Sequence, residues 1–128
     1  MTWDKHTNLR IQQLQPQMKE KTIEFINRAE SELGIKLRVT SAFRSFEEQE
    51  KLYAKGRTLP GKIVTWAKPG ESYHNLGLAI DVVEIKDGKA LWENPNWSKI
   101  GELGESMDFT WGGRWKKKDL PHFQISIK

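Results

Sequence analysis

Residues 78–83 constrain the fold most, because their sequence Leu-Ala-Ile-Asp-Val-Val places a carboxylate inside an otherwise apolar strand. An ionised carboxylate in a buried strand costs free energy unless it is paired or bound to a metal. For Asp81 taken alone, a capping contact to the backbone or an ion pair with an arginine is the commoner explanation. The strand therefore needs partners that compensate Asp81, and the rest of the sequence has to supply them.

Two of the three histidines stand where loops enter strands. His74 lies seven residues before Asp81, at the end of a segment rich in glycine and proline, and His122 directly follows Pro121 at the start of the last predicted strand. If the two strands are neighbours, His74, Asp81 and His122 form a set of three N and O ligands with an open fourth position, as in catalytic zinc sites. A single histidine near an apolar segment is usually structural. His6 lies in a polar stretch and is predicted to be a surface residue.

The absence of cysteine narrows the chemistry further. Without thiols the chain cannot form disulfides, thiolate zinc sites or cysteine nucleophiles. Any metal must then be held by histidine and carboxylate side chains. The sequence also lacks the H-E-x-x-H pattern, which excludes the helical arrangement of many zinc peptidases.

Two charged residues outside the ligand set are candidates for catalysis and substrate binding. Asp119 lies three residues before His122, and the rigid Pro121 limits their relative placement. A carboxylate beside a metal-bound water, but not itself a ligand, is the expected general base for hydrolysis; alternatively, Asp119 only balances the lysines at 116–118. Arg44 follows a predicted strand and precedes a capped helix. This position suits a guanidinium directed at a substrate carboxylate or oxyanion, with a salt bridge at the helix end as the alternative.

The periodicity of the sequence predicts an α+β fold, a small antiparallel sheet with flanking helices. A capping box of the S-x-x-E type opens the second helix, and an Asp-Gly pair marks a hairpin turn. With 128 residues and no repeat or linker, residues 1–128 are expected to form a single domain. The predicted helices span residues 9–33, 45–55 and 97–107. The predicted strands span residues 35–40, 78–85, 90–92 and 122–127, and the long loop 57–73 has room for a short strand at 63–66.

The net charge of +4 and the isoelectric point of about 9.3 favour anionic partners such as nucleic acid, anionic lipid or the polymers of a bacterial wall. The only dense basic run, residues 116–118, is typical of a solvated loop, so no nucleic-acid partner is predicted. No apolar stretch reaches membrane-spanning length, and the first residues lack a basic-then-apolar signal pattern. We therefore expect a protein made in the cytoplasm without a signal peptide and without membrane insertion.

Three segments in order resemble the D-alanyl-D-alanine carboxypeptidase-like zinc peptidases, and within them the L-alanyl-D-glutamate endopeptidases common among phage endolysins. The segments are residues 41–45 (SAFRS), 72–81 (SYHNLGLAID) and 119–123 (DLPHF). The S-x-H-x-x-G-x-A-x-D block with a late acid-x-x-H-F is a specific pattern, and the resemblance covers about residues 37–125. It implies the small α+β fold shared with the zinc domain of hedgehog proteins.

The resemblance also implies a role for each matching residue. His74, Asp81 and His122 would be the zinc ligands, Asp119 the catalytic acid–base and Arg44 the cation that orients the substrate. Ser72 matches a motif position that would support the substrate-binding part of the site, and it would not be a nucleophile. The rings of Trp111 and Trp115, in a segment similar to the one that borders the cleft in the family, would line the groove.

The implied function is hydrolysis of the L-alanyl-D-glutamate bond in peptidoglycan stem peptides by a monomeric phage or prophage enzyme that acts on the wall after release. Members that cut D-alanyl-D-alanine ends tend to carry glutamate at the acid–base position, whereas this chain has Asp119. A D-alanyl-D-alanine carboxypeptidase or dipeptidase is the alternative within the family. A non-catalytic zinc-containing binding module is the alternative outside it, although such a module has no use for Asp119. Many endolysins carry a wall-binding domain, for which 128 residues leave no room.

Overall fold

The apolar segment with the internal aspartate forms β2 (Ala79–Lys86), the central strand of the sheet. The computed structural model describes residues 1–65 and 67–126. Within them the sheet has the order β1-β2-β5-β4, with β3 beside β2, and all neighbours are antiparallel. The other strands are β1 (Leu37–Ser41), β3 (Lys89–Leu91), β4 (Thr110–Trp111) and β5 (His122–Gln124).

Strand β2 is long enough to pair with three other strands. Strand β1 runs along one of its edges, while β5 and β3 share the other edge in succession. In this register Asp81 lies opposite Ser41 on one side and His122 on the other. The pairing brings Asp81 and His122 side by side although they are far apart in the sequence.

In the part of the chain that the structure describes, four α-helices flank the sheet: α1 (Lys5–Arg10), α2 (Pro16–Arg28), α3 (Phe46–Ala54) and α4 (Trp97–Ser106). The prediction of a single helix over 9–33 is therefore wrong over residues 9–15, where α1 ends and a separate turn precedes α2. Pro16 lacks an N–H and opens α2 at its first position, and residues Ile11–Gln13 form a separate 3₁₀ turn. At the other end, α2 passes into a π-helical turn that stops at Gly34, whose φ of 66° is left-handed.

The predicted capping box is confirmed. The Ser45 hydroxyl accepts from the Glu48 N–H, and the Glu48 carboxylate accepts from the Ser45 N–H, at the start of α3. The short strand predicted at 63–66 is absent from residues 63–65, and Trp66 lies outside the described residues. The last strand ends at Gln124, earlier than predicted, and position 127 also lies outside them.

The core fills the space between the sheet and the helices α2 and α4. Phe25 of α2 packs against Phe123 of β5 with ring centroids 4.9 Å apart, and against Phe109 at 5.4 Å. Most of the buried apolar side chains form one continuous cluster that runs from Ile11 to Ile125. This continuity supports the proposal of a single domain. None of the helices within 1–65 and 67–126 is long and apolar enough to cross a membrane.

Candidate metal centre and cleft

Asp81 and His122 meet because β2 and β5 are hydrogen-bonded neighbours. Their side chains lie on the same face of the sheet, with Asp81 Oδ1 3.2 Å from His122 Nδ1. The backbone N–H of Val82 donates to the Pro121 carbonyl at 3.0 Å, which fixes the start of β5 against β2. The spacing of these two groups is therefore set by the sheet itself.

His74 reaches the same point from a different element, a 3₁₀ turn over Tyr73–Leu76. The Ser72 hydroxyl caps this turn by accepting from the His74 N–H at 3.2 Å. The His74 ring is buried, with Nδ1 2.8 Å from the Ala42 carbonyl and Nε2 3.5 Å from Asp81 Oδ1. Since the Ala42 carbonyl can only accept, Nδ1 carries a proton, and Nε2 is the nitrogen that faces Asp81 and could bind a metal ion.

His74, Asp81 and His122 thus form a cluster that could hold a metal ion. Each offers one ligand atom, and these atoms all lie within 4.8 Å of one another. Two imidazole nitrogens and one carboxylate oxygen are donors that suit zinc, with room for a fourth group. The structure therefore brings together the three residues that the sequence singled out.

The charges in this cluster are strongly coupled. Burial opposes ionisation of Asp81, but its hydrogen bonds with His122 and His74 outweigh that effect and hold the pKa of Asp81 well below its usual range. Burial lowers the pKa of His122, whereas the hydrogen bond and charge of Asp81 raise it, and the net change is upward. The site consequently holds a carboxylate that stays ionised between two imidazoles.

Asp119 lies beside this cluster and lines the same cleft. Partial desolvation of its carboxyl group and the nearby charge of Asp81 raise the pKa of Asp119, against the effect of His122, His74 and Arg44. Its main chain packs closely on Gly112, whose carbonyl accepts from the Asp119 N–H at 3.0 Å. A Cβ at Gly112 would lie 2.4 Å from the Asp119 carbonyl oxygen, so only glycine allows this approach.

Arg44 enters the cleft from the segment between β1 and α3. Its guanidinium donates to Gln49 Oε1 at 2.8 Å and to Ser41 Oγ at 3.1 Å. Among residues 1–65 and 67–126 it forms no salt bridge. Arg44 is therefore not held by an ion pair at the helix end. The positive charge of Arg44 is available to a ligand.

The cleft has a volume of about 800 Å³. The residues that line it show which of the remaining predicted substrate-binding residues lie at the site. Ser72 and Trp115 both border it, and the Trp115 ring lies 5.1 Å from the His122 ring. Trp111 does not border it. It is 5% exposed, its indole N–H donates to the Leu120 carbonyl, and its ring stacks on Phe123. The expectation that Trp111 lines the groove is corrected, because this residue belongs to the core. His6 is exposed, as predicted.

Comparison with known proteins identifies the family. The model of the family VanY, D-alanyl-D-alanine carboxypeptidase, matches residues 11–125. The chain belongs to this family. Its resemblance to D-alanyl-D-alanine carboxypeptidase-like peptidases, seen in the three sequence segments, is thereby confirmed.

Individual VanY-like proteins add detail. The peptidoglycan L-alanyl-D-glutamate endopeptidase CwlK of Bacillus subtilis (strain 168) is 47% identical over 103 residues, which cover 72% of this chain and 62% of that protein. The chain thus spans less than two thirds of the length of this relative.

Solved structures of the same kind share the fold. The L-Ala D-Glu endopeptidase ChiX of Serratia marcescens superimposes with a TM-score of 0.74 at 22% identity, covering 98% of this chain and 90% of that one. The vancomycin resistance D,D-pentapeptidase VanY from a VanB-type cassette, in complex with Zn(II), gives a TM-score of 0.65 at 20% identity, covering 88% of this chain and 72% of that one. The predicted α+β fold is confirmed.

Three polar residues of the VanY-like site were missed by the sequence analysis. Gln49 is fully buried and donates to the Ala67 carbonyl, Asn75 donates to the Arg44 carbonyl, and Gln124 contacts His122. Gln124 was detectable in principle, because a residue two positions after His122 on a strand faces the same side. Gln49 and Asn75 gave no comparable signal, since an amide on a helix or turn is usually exposed.

Proposed function

We propose that this protein is a zinc-dependent peptidoglycan endopeptidase that cleaves the L-alanyl-D-glutamate bond of stem peptides. The observation that carries the proposal is the cluster of His74, Asp81 and His122 at one cleft wall, with Asp119 beside it. The 47% identity to an enzyme named for this bond supports the choice of substrate. Bacterial peptidoglycan is the proposed partner.

The metal would supply the electrophile. Zinc held by these three residues would polarise the scissile carbonyl and activate a water molecule. Asp119 then takes the proton from the attacking water and returns it to the leaving amine, which is general base followed by general acid catalysis. Its raised pKa favours this dual use, because proton transfer by a general acid–base group is most effective when the pKa of the group lies nearer the working pH.

Arg44 would hold the substrate. Its neutral partners, Gln49 and Ser41, orient the guanidinium without neutralising it. A planar fork of this kind binds a carboxylate with two hydrogen bonds, and a free carboxylate of the stem peptide is the ligand that we propose for it. Ser72 and Trp115 complete the walls near the metal residues, the first by holding the His74 turn and the second by presenting its ring to the cleft.

A D-alanyl-D-alanine carboxypeptidase or dipeptidase is the second candidate, because the matching family model carries that description. The presence of Asp119, one methylene shorter than the glutamate typical of that subgroup, favours the endopeptidase. A zinc-containing module without activity is disfavoured by the same residue, since binding alone needs no proton-transfer group beside the metal.

Mass spectrometry of the fragments released from purified peptidoglycan distinguishes these functions. The endopeptidase predicts products with a new amino terminus on D-glutamate, whereas the carboxypeptidase predicts loss of terminal D-alanine. An Asp119→Asn protein is the matched control, because its shape is kept while its basicity is lost. Release of D-alanine alone would show that the protein is a carboxypeptidase or dipeptidase. If no fragment is released at all, a non-catalytic binding module would be the remaining function.

We further propose that the enzyme is a monomer encoded by a phage or prophage, made in the host cytoplasm and active on the wall after release. The motif pattern shared with endolysins supports this origin. Light scattering of the purified protein tests the oligomeric state. A gene that lies outside any phage lysis cluster would remove the phage origin without affecting the proposed chemistry.

A further inference from the structure

Gln124 contacts the side of the His122 ring that faces away from Asp81. Its Oε1 lies 2.7 Å from His122 Nε2, while His122 Nδ1 lies 3.2 Å from Asp81 Oδ1. The ring is therefore held at both nitrogens, by a carboxylate on one side and an amide on the other. Gln124 also lines the cleft, so its side chain belongs to the same surface as the proposed metal residues.

The sheet leaves Gln124 little freedom to move. Its backbone pairs with Ala79 of β2 and with Thr110 of β4, so the residue lies in a strand that has a neighbour on each side. The period of a strand places the side chains of residues 122 and 124 on one face. The contact between them follows from this geometry and from the reach of the amide.

A neutral imidazole carries one proton, and the atom that carries it decides which nitrogen can bind a metal. An amide oxygen at Nε2 keeps a proton on that nitrogen, so Nδ1, which faces Asp81, is the nitrogen whose lone pair a metal ion can take. In the opposite tautomer the proton would point into the cluster and block ligation by Nδ1.

We propose that Gln124 is a positioning residue that holds His122 in the tautomer and orientation in which Nδ1 ligates the metal, and so sets the metal affinity. The proposal rests on the metal site of the proposed function. Hydrogen bonds to the second nitrogen of ligating histidines commonly have this role.

His74 provides an internal comparison. Its second nitrogen bonds to the backbone carbonyl of Ala42, an acceptor that no side-chain substitution removes. His122 depends instead on a side chain, so the strength of its support varies with the residue at position 124. The two histidines thus serve the same cluster with one fixed and one adjustable acceptor.

The test is the zinc dissociation constant, measured by competition with a fluorescent chelator. Gln124→Leu removes the acceptor and should weaken zinc binding by about tenfold to a hundredfold. Gln124→Glu restores an acceptor and should bind zinc at least as tightly as the wild type. Gln12→Leu, at an exposed position of the first 3₁₀ turn, is the matched control and should leave the affinity unchanged.

Two further measurements separate positioning from a general loss of structure. The melting temperature of the metal-free protein should be similar for the wild type and Gln124→Leu. In the zinc-loaded protein, the Nε2–H proton of His122 should be protected from solvent exchange in the wild type and in Gln124→Glu, and exchange faster in Gln124→Leu.

The outcomes are distinct. Wild-type zinc affinity in Gln124→Leu would overturn this inference and leave the proposed function standing. An equal loss of affinity in Gln124→Leu and Gln124→Glu would also overturn it, because the acceptor would then be irrelevant. A wild-type protein that binds no zinc would remove the proposed metal site itself.

Discussion

Two carboxylates, the buried Asp4 and the half-buried Asp81, are compensated in different ways. Asp4 is 3% exposed and accepts two hydrogen bonds from the Arg38 guanidinium, at 3.0 and 3.1 Å, and two more from Thr7. The Asp81 side chain is 24% exposed and faces two imidazoles, those of His74 and His122. Both carboxylates have depressed pKa values, but only Asp4 is paired with a permanent cation.

The difference separates a structural carboxylate from one that can bind a ligand. Arg38 cannot lose its proton, so its positive charge always cancels the charge of Asp4. Because Asp4 is the N-cap of α1 and Arg38 lies in β1, the ion pair also connects this helix to the sheet. An imidazole, unlike a guanidinium, can give up its proton and then offers a lone pair to a metal ion. Asp81 therefore retains negative charge at the mouth of a cleft, where a cation can replace the missing partner.

The largest expected effect is on Asp81→Asn. This change removes the only carboxylate of the cluster, and we expect zinc to be lost from the purified protein and hydrolysis of peptidoglycan to fall below detection. Asp4→Asn is the matched control. It should keep one zinc per chain and full hydrolysis, while the free energy of unfolding drops by about 2 kcal/mol, the value of hydrogen bonds to a charged group.

Elemental analysis, the rate of amine release and urea unfolding on the same samples check this pair. Zinc retained in Asp81→Asn would show that the metal is held elsewhere. Zinc lost from folded Asp4→Asn would show that the two carboxylates do not differ as proposed.

Asp119 extends the comparison to a third carboxylate, one that faces the cluster without joining it. Asp119→Ala should keep its zinc and its fold, while hydrolysis falls roughly a hundredfold or more, the contribution of a positioned proton-transfer group. Asp119→Asn should behave similarly. Asp119→Glu restores the carboxylate a methylene too far, and we expect it to be impaired on muropeptides because small displacements are costly at such a site.

The assay is the release of new amino termini from purified peptidoglycan, with zinc measured in parallel. Full activity in Asp119→Ala would remove the proposed mechanism. Loss of zinc in that variant would make Asp119 a ligand and the cluster a set of four.

The sequence predicted the cluster because its members break local rules. Asp81 places a carboxylate in an apolar strand, and a histidine lies at each of two loop-to-strand junctions. Polar side chains in or beside buried strands conflict with the local pattern, and such conflicts mark functional sites. Asp4 was overlooked because it obeys the rules. The run from Asp4 to Thr7 is an ordinary helix cap, in which the Asp4 carboxylate accepts from the Thr7 N–H. Nothing in the sequence indicates that Arg38, in β1, reaches the same carboxylate.

Features set by long-range packing could not be predicted. Strand β4 is two residues long, too short for a period, and exists because β5 pairs with it. Trp111 was assigned to the groove because of its neighbours in the sequence, whereas Gly101 and Gly113 make room for its ring in the core. The break between α1 and α2 follows from Pro16, which opens α2 at its first position, whereas the periodicity predicted one helix over 9–33.

Two arginines repeat the contrast between the carboxylates. Arg38 is bound by Asp4, whereas Arg44 has the neutral partners Gln49 and Ser41. Arg44→Lys keeps the charge and loses the fork, so we expect kcat/KM to fall about tenfold, the equivalent of roughly one charge-assisted hydrogen bond, with zinc content unchanged. Arg38→Lys should lower stability and leave kcat/KM as it is. Wild-type kinetics in Arg44→Lys would return Arg44 to a structural role.

The smallest effect is on how stability depends on pH. Burial opposes ionisation of Asp4, but the hydrogen bonds from Arg38 and Thr7 outweigh it, so its pKa is lowered in the folded protein from an ordinary value of 3.8. The folded state then holds the proton less tightly than the unfolded chain. The stabilisation is fully present above the unfolded pKa and is lost as the pH falls through the folded pKa.

We therefore expect the difference in unfolding free energy between wild type and Asp4→Asn to be constant from pH 7 down to about 5 and to shrink below about 4. Urea unfolding of both proteins in a chelating buffer isolates Asp4, because the metal residues are the same in each. If this difference in unfolding free energy stays constant down to pH 2, Asp4 stabilises the fold through contacts with Thr7 that do not depend on its charge. The charge of Asp4 would then not distinguish it from Asp81.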